Sequence, residues 1–167
     1  QTSQAPTSTS LAPIIYNNDN IRDAVRNAST NNWKDTTGKH ISEWDVSQVT
    51  DMNSLFKDDD SFNEDISGWD VSNVINMESM FSNAKAFNQD ISSWDVRKVT
   101  NMVNMFRSAK AFNRDLSNWI VCNVNQSGNF GLYTDFHTDG SLESHRPRFG
   151  EPCSTSTSIL SEETTSA

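Results

Sequence analysis

"FNQDISSWDVRKVTNMVNMF", residues 87–106, restates "FNEDISGWDVSNVINMESMF", residues 62–81, and "ISEWDVSQVTDMNSLF", residues 41–56, carries most of it again. The shift is 25 positions in every column, as in Trp44, Trp69, Trp94 and Trp119. Val46, Val71, Val96 and Val121 keep the same interval, as do Val49, Val74, Val99 and Val124. So do Met52, Met77 and Met102, then Phe56, Phe81 and Phe106, then Phe62, Phe87 and Phe112, and finally Ile41, Ile66, Ile91 and Leu116. A register held across this many apolar columns marks stacked units, each too small to bury its own apolar face.

Two spacings alternate inside one copy. Ile66, Trp69 and Val71 follow the L-x-x-L-x-L rhythm of a leucine-rich repeat, which predicts a short strand around Trp-Asp-Val. Val74, Met77, Met80, Phe81 and Ala84 recur every three to four residues, which predicts a short helix started by Ser72 or Asn73. The expected fold class is therefore α/β: a leucine-rich-repeat-like solenoid of about four 25-residue coils, each a parallel strand plus a helix. Its structural core would be Trp44, Trp69, Trp94 and Trp119 with Phe81 and Phe106. Each buried indole withdraws ~150–250 Å² from water, on the order of 4–6 kcal/mol. Such a stack needs both ends covered. "NDNIRDAVRNA" reads as a capping helix started by Asp19 or Asn18, with Ile21, Ala24, Val25 and Ala28 on one face. The pattern fails after Trp119, where Ile120 replaces the Asp of earlier copies, so an irregular cap built on Phe130, Leu132, Tyr133 and Phe136 is expected there. The chain divides into a Ser/Thr/Pro-rich flexible segment at 1–13, an N-terminal cap at 14–40, repeats at 41–119, a C-terminal cap at 120–153 and a Ser/Thr-rich tail at 154–167.

Net charge −9 and a pI near 4.6 disfavour nucleic acid and anionic membranes and favour cations or basic protein surfaces. No apolar run has the length of a membrane span, and the first residues lack the build of a secretion signal, so the start at Gln1 suits a processed product. Cys122 and Cys153 fit no zinc spacing and are expected to join in a disulfide across the C-terminal cap, the alternative being two free thiols. Asn27 and Asn125 head N-x-S sequons and are glycosylation candidates on a secretory route.

Asp45, Asp70 and Asp95 follow the inward Trp by one residue and should form an exposed stripe with carboxylates ~5 Å apart. Neighbours in it repel by ~1 kcal/mol in water and ~3 kcal/mol at an effective dielectric of 20. Either each carboxylate accepts hydrogen bonds in its own "DVS" turn, or the stripe, with Ser72, Ser93 and Arg97 beside it, binds a basic protein partner or Ca²⁺. The corner columns Asn63/Asn88/Asn113 and Asp65/Asp90/Asp115 read as fold-holding, and His40 as a corner cap. "KDDDSF" from Lys57 lacks a calcium-loop pattern, and "DFHTDGSLESH" gathers Asp135, His137, Asp139, Glu143 and His145 without a metal-site spacing, so no metal site is assigned. No nucleophile elbow, phosphate loop or dinucleotide fingerprint is present, and the expectation is a protein that is not an enzyme and needs no cofactor, calcium being the one weighed.

The stretch "FNQDISSWDVRKVTNMVNMF" closely resembles the repeat of BspA-like leucine-rich-repeat surface proteins, among them the mycoplasma-type lipoprotein repeats of unknown function, over Ile21 to Val121. That resemblance implies a right-handed leucine-rich-repeat-like solenoid, exported and used for adhesion or protein binding, at the cell surface or secreted. The functional expectation is an adhesion module that uses the exposed sheet face. Its alternatives are a structural subunit of a larger extracellular or lumenal assembly and a calcium-dependent module.

Overall fold

The computed structural model describes residues 13–131, 134 and 145–153. The expected flexible flanks at 1–13 and 154–167 lie outside these apart from Pro13. Among the described residues one α-helix is present, α1 at Ile21–Ser29, together with a 3-10 turn at Ile41–Glu43. No β-strand occurs among them; pairing is confined to isolated bridges, the main series running Asp51–Asn76–Asn101–Gln126 in parallel.

This corrects the expected α/β leucine-rich-repeat solenoid, which needs a strand and a helix in each coil. The copies are instead built of tight turns. Met77, Ser79, Phe81 and Asn83 each donate their N–H to the following copy, at Asn101, Val103, Met105 and Arg107, over 2.8–2.9 Å. The residues between them turn back on their own copy: Met80 N–H to the Met77 carbonyl, Ser82 to Ser79, Ala84 to Phe81. A helix would need every N–H for the carbonyl four residues back, and here half of them leave the copy. Ser79 and Asn83 also hold left-handed backbone, φ 54° and 60°, which no L-residue helix contains. Ser54 and Asp58, Asn104 and Ser108, and Asn129 repeat that geometry in the other copies. The three-to-four-residue spacing of Val74, Met77, Met80, Phe81 and Ala84 thus belongs to successive turns with one buried side, and those five residues are buried.

On the other side of each tier the Trp-Asp-Val stretch makes no backbone bond to its counterpart among the described residues. The indole takes over there. Trp69 Nε1 donates to the Ile41 carbonyl at 2.9 Å, Trp94 to Ile66 at 3.2 Å and Trp119 to Ile91 at 3.2 Å. All four repeat tryptophans are 3–5% exposed. Beside them run two phenyl columns, paired face to face within a tier at 3.8–4.1 Å (Phe56/Phe62, Phe81/Phe87, Phe106/Phe112). Successive tiers stack their rings at 5.4–5.7 Å. Rings set edge-on close the columns: Trp33 against Phe62 at 4.8 Å, and Phe130 against Phe106 at 5.2 Å. Edge-to-face contact suits a terminus, since it leaves no further flat face to extend.

The N-terminal cap imitates a missing tier. Tyr16 stacks on Trp44 at 4.3 Å, as a preceding indole would. The Asn18 side-chain oxygen Oδ1 accepts the N–H groups of Thr50 and Asp51, at 2.9 and 3.1 Å. In the next tier the equivalent N–H groups, of Ile75 and Asn76, go to the Thr50 carbonyl. Neither Asn18 nor Asp19 caps α1; Asn20 stands at that position and its side chain instead bonds Asn17 N–H and the Ile15 carbonyl. α1 lays Ile21, Val25 and Ala28 against the first tier, with Ala24 partly buried. At the far end Cys122 and Cys153 are joined in a disulfide with their Cα atoms 5.1 Å apart. The joined segment seats Phe149 on Phe130 at 5.0 Å and takes the Leu116 N–H on the His145 carbonyl at 2.8 Å. The expected cap residues Leu132, Tyr133 and Phe136 lie outside the described residues.

Candidate functional site

With no β-strand among the described residues there is no sheet face among them. The adhesion surface, the docked-subunit role and the calcium module expected from the solenoid are therefore not what the structure carries, and the carboxylates meant for them are engaged. Asp45 accepts the N–H and hydroxyl of Ser47 at 3.1 and 2.7 Å, which holds its carboxyl below the usual carboxylate range. Asp70 accepts Ser72 N–H at 3.0 Å. Asp95 is bound by Arg97, through Nε at 2.8 Å and Nη2 at 2.6 Å, and is lowered chiefly by that pairing. Ser93 is exposed beside them, and no hydrogen bond ties it to the column.

The corners behave alike. Asp65, Asp90 and Asp115 take the N–H groups of Ser67, Ser92 and Ser117 at 2.9–3.0 Å, and all three are lowered by those serines. The Asn63 and Asn88 side chains accept the N–H of Asn88 and Asn113 one tier on, at 2.9 and 3.1 Å. Within "KDDDSF", Asp58 accepts from Asn83 at 2.6 Å, Asp60 pairs with Lys85 at 2.5 Å, and Asp59 takes Ser61 and Phe62 N–H at 3.2 and 3.1 Å. Among the described residues no group of three His, Cys, Asp or Glu is placed to hold a metal ion. Asp135, His137, Asp139 and Glu143 lie outside them. His40 accepts Ser42 N–H at 3.3 Å and sits 3.3 Å from Glu64, as a corner residue. Asn27, on α1, and Asn125 are both exposed.

What the tiers leave open is their first edge. In the second tier the carbonyls of Met80 and Ser82 receive Phe56 and Asp58 N–H, and in the third those of Met105 and Arg107 receive Phe81 and Asn83 N–H. The equivalent carbonyls of the first tier, on Leu55 and Lys57, receive no donor among the described residues. Arg22 from α1 fills the neighbouring position, donating to the Asn53 carbonyl and pairing with Asp51 at 3.3 Å. Between α1 and this edge lies a groove of about 470 Å³. Val25, Leu55 and Phe56 make its apolar floor, and Arg22, Arg26 and Lys57 line it against one carboxylate, Asp59. Arg22 is paired with Asp51 and Arg26 with Asp23 at 2.7 Å, which leaves Lys57 as the groove's one cation without an ion pair among the described residues. Sequence columns could not show it, because it is made where the repeat stops. The only signal was that Lys57 has Ser82 and Arg107 as its counterparts, and Arg22 and Arg26 sit four apart on one helix.

A second cavity of about 230 Å³ lies on the other side of α1, beside Tyr16 and Asp35. Asp35 accepts the Tyr16 hydroxyl at 2.7 Å, Thr37 N–H at 2.8 Å and Lys39 N–H at 3.0 Å. Burial works to raise its pKa, yet these bonds bring it below the ordinary value, and burial with the same contact drives the Tyr16 phenol far upward. The group ties the cap together and is fully engaged.

No helix among the described residues is long and apolar enough to cross a membrane. Residues 20–141 match the family described as "Mycoplasma protein of unknown function, DUF285". No curated protein and no solved structure matches the chain. The resemblance to leucine-rich-repeat surface proteins is corrected accordingly, since the matched family is one of unknown function and the strands of such a repeat are not there.

Proposed function

The chain belongs to this DUF285 family, and from its own geometry we propose that it is a non-enzymatic recognition module of an oxidising compartment, engaging a protein partner at the N-terminal end of its tiers. The observation that carries this is the unfilled first edge, Leu55 and Lys57 carbonyls beside Arg26 and Lys57 side chains, on a molecule whose repeated carboxylates serve their own turns. An open backbone edge is a template for a further chain. Extracellular or lumenal placement is supported by the Cys122–Cys153 bond, which persists where thiols are not kept reduced. Net charge −9 gives a long-range field that speeds the approach of a partner with a basic surface, whatever the contact itself requires.

Photo-crosslinking tests the placement. A photoreactive residue at position 29, exposed in the groove lining, should give an adduct in the native extracellular fraction, and the same residue at position 114, on the flank of the tiers, should give none. Adducts from position 114 alone, or native protein recovered with reduced cysteines, would overturn the proposal.

A further inference from the structure

The tier-to-tier ladder determines what fits the open edge. We infer that the groove between α1 and the first tier takes an extended peptide segment of a partner, which donates alternate backbone N–H groups to the Leu55 and Lys57 carbonyls and offers a carboxylate to Lys57 and Arg26. This rests on the recognition role proposed above and names the chemistry of the partner's contacting segment.

Three observations converge on it. The two carbonyls stand two residues apart, and the N–H groups on one side of an extended chain likewise recur at every second residue. Every later tier shows the same acceptor pair filled by Phe56 and Asp58, or by Phe81 and Asn83, at 2.8–2.9 Å, so the segment continues an interface the molecule already builds. The side-chain requirement follows from charge: Lys57 and Arg26 are exposed, Arg26 shares its guanidinium with Asp23 on its own helix at 2.7 Å, Arg22 is committed to Asp51 and Asn53, and Asp59 is committed to its own turn, so Lys57 is the principal anchor. Lys57 has no ion-pair partner among the described residues, so a carboxylate brought into the groove meets an unneutralised ammonium. This is the strand-addition mode of peptide recognition, with a turn-built edge in place of a strand. A whole tier from a second copy does not fit as well, because α1 already covers the same end of the stack with Ile21, Val25 and Ala28.

The test uses the full chain and a fluorescent acidic peptide alternating Thr and Glu, with a Thr/Lys counterpart, read by anisotropy. In an extended peptide, residue parity couples the N–H side to the side-chain face, so N-methylating all residues of one parity should abolish binding and methylating the other parity should leave it unchanged. Lys57→Glu and Arg26→Glu should each weaken the acidic peptide by about tenfold or more, and Arg114→Glu should not. Equal binding of both N-methylated series, preference for the Lys peptide, or no binding up to about 1 mM would overturn the inference. Self-association in light scattering that is lost in Lys57→Glu would assign the groove to a second copy and overturn it too. A position-29 crosslink with no peptide binding would sink this inference alone; a crosslink confined to position 114 would sink the recognition role beneath it.

Discussion

Trp94 ties two tiers with one side chain. Its ring is buried at 5% exposure, and its Nε1 supplies the Ile66 carbonyl, 3.2 Å away, with its donor in a place water does not reach. Trp94→Phe keeps an aromatic ring but strands that acceptor. The cost of an unsatisfied buried carbonyl, about 1–3 kcal/mol, adds to the lost packing of the larger ring, and a total of about 2–4 kcal/mol is expected. Denaturant titration with an unchanged m-value would show it. A loss under about 1 kcal/mol would mean the indole bond is idle. The Asp columns on the surface, and the buried Asp35 of the cap, obey a related rule. Asp35, Asp45, Asp65, Asp90, Asp95 and Asp115 all have folded pKa values below their usual ones. Their contribution is therefore complete above the unfolded carboxylate value of ~3.9 and is lost as pH falls through the lower folded values. The thermal midpoint should be flat from neutral pH to about 5 and drop steeply below about 4. A midpoint that rises on acidification would contradict the hydrogen-bonded role.

The turn-built edge is the element that decides the architecture, and Ser108 isolates it. This residue sits at φ 59°, half-buried, in the position Ser54-to-Asp58 geometry repeats through the tiers. Glycine accepts left-handed backbone freely, whereas a β-branched residue resists it by about 1–2 kcal/mol or more. Ser108→Gly should be neutral or slightly stabilising, and Ser108→Val should destabilise by about 2 kcal/mol. In a helix the glycine would instead cost about 0.5–1 kcal/mol relative to alanine. The reverse order in thermal unfolding would therefore restore the helix predicted from spacing. That prediction failed for a physical reason. Val74, Met77, Met80, Phe81 and Ala84 record which side chains are inward, and consecutive turns produce the same spacing as a helix. The discriminating signal lay in the polar positions between them, Ser54/Ser79/Asn104/Asn129 and Asp58/Asn83/Ser108, small Asn, Asp and Ser residues that tolerate left-handed backbone. The 25-residue register and the buried Trp and Phe columns were readable directly, because identical residues can only bury identical faces by stacking. The candidate groove was not, because it is made by the Leu55 and Lys57 backbone carbonyls, which differ from those of their counterparts in lacking a neighbouring donor among the described residues.

At the scale of the molecule, stability has to be supplied at the ends, since each tier touches only the tiers beside it. The two ends do this differently. Tyr16, Asn18 and α1 rebuild a missing tier by side-chain imitation, whereas the far end relies on a covalent tie that holds 145–153 over the last aromatic rings. The Cys122–Cys153 bond spans a sequence separation of 31 residues. Restricting a loop of that size in the unfolded chain is worth about 3–4 kcal/mol in the chain-entropy account. Reduction, or Cys122→Ser with Cys153→Ser, should therefore lower the midpoint by on the order of 10 °C. The loss should also have a direction. Without the tie, Phe149 leaves Phe130, Leu116 N–H loses the His145 carbonyl, and the last tier becomes an uncovered end. Amide exchange should then accelerate first at Met102, Asn104 and Phe106, whose N–H groups reach into that tier, and later at Met52, Ser54 and Phe56, whose acceptors lie in the second. Exchange that quickens equally along the whole ladder would mean the tiers unfold as one unit, and the disulfide would then be stabilising the molecule globally and not guarding one end of it.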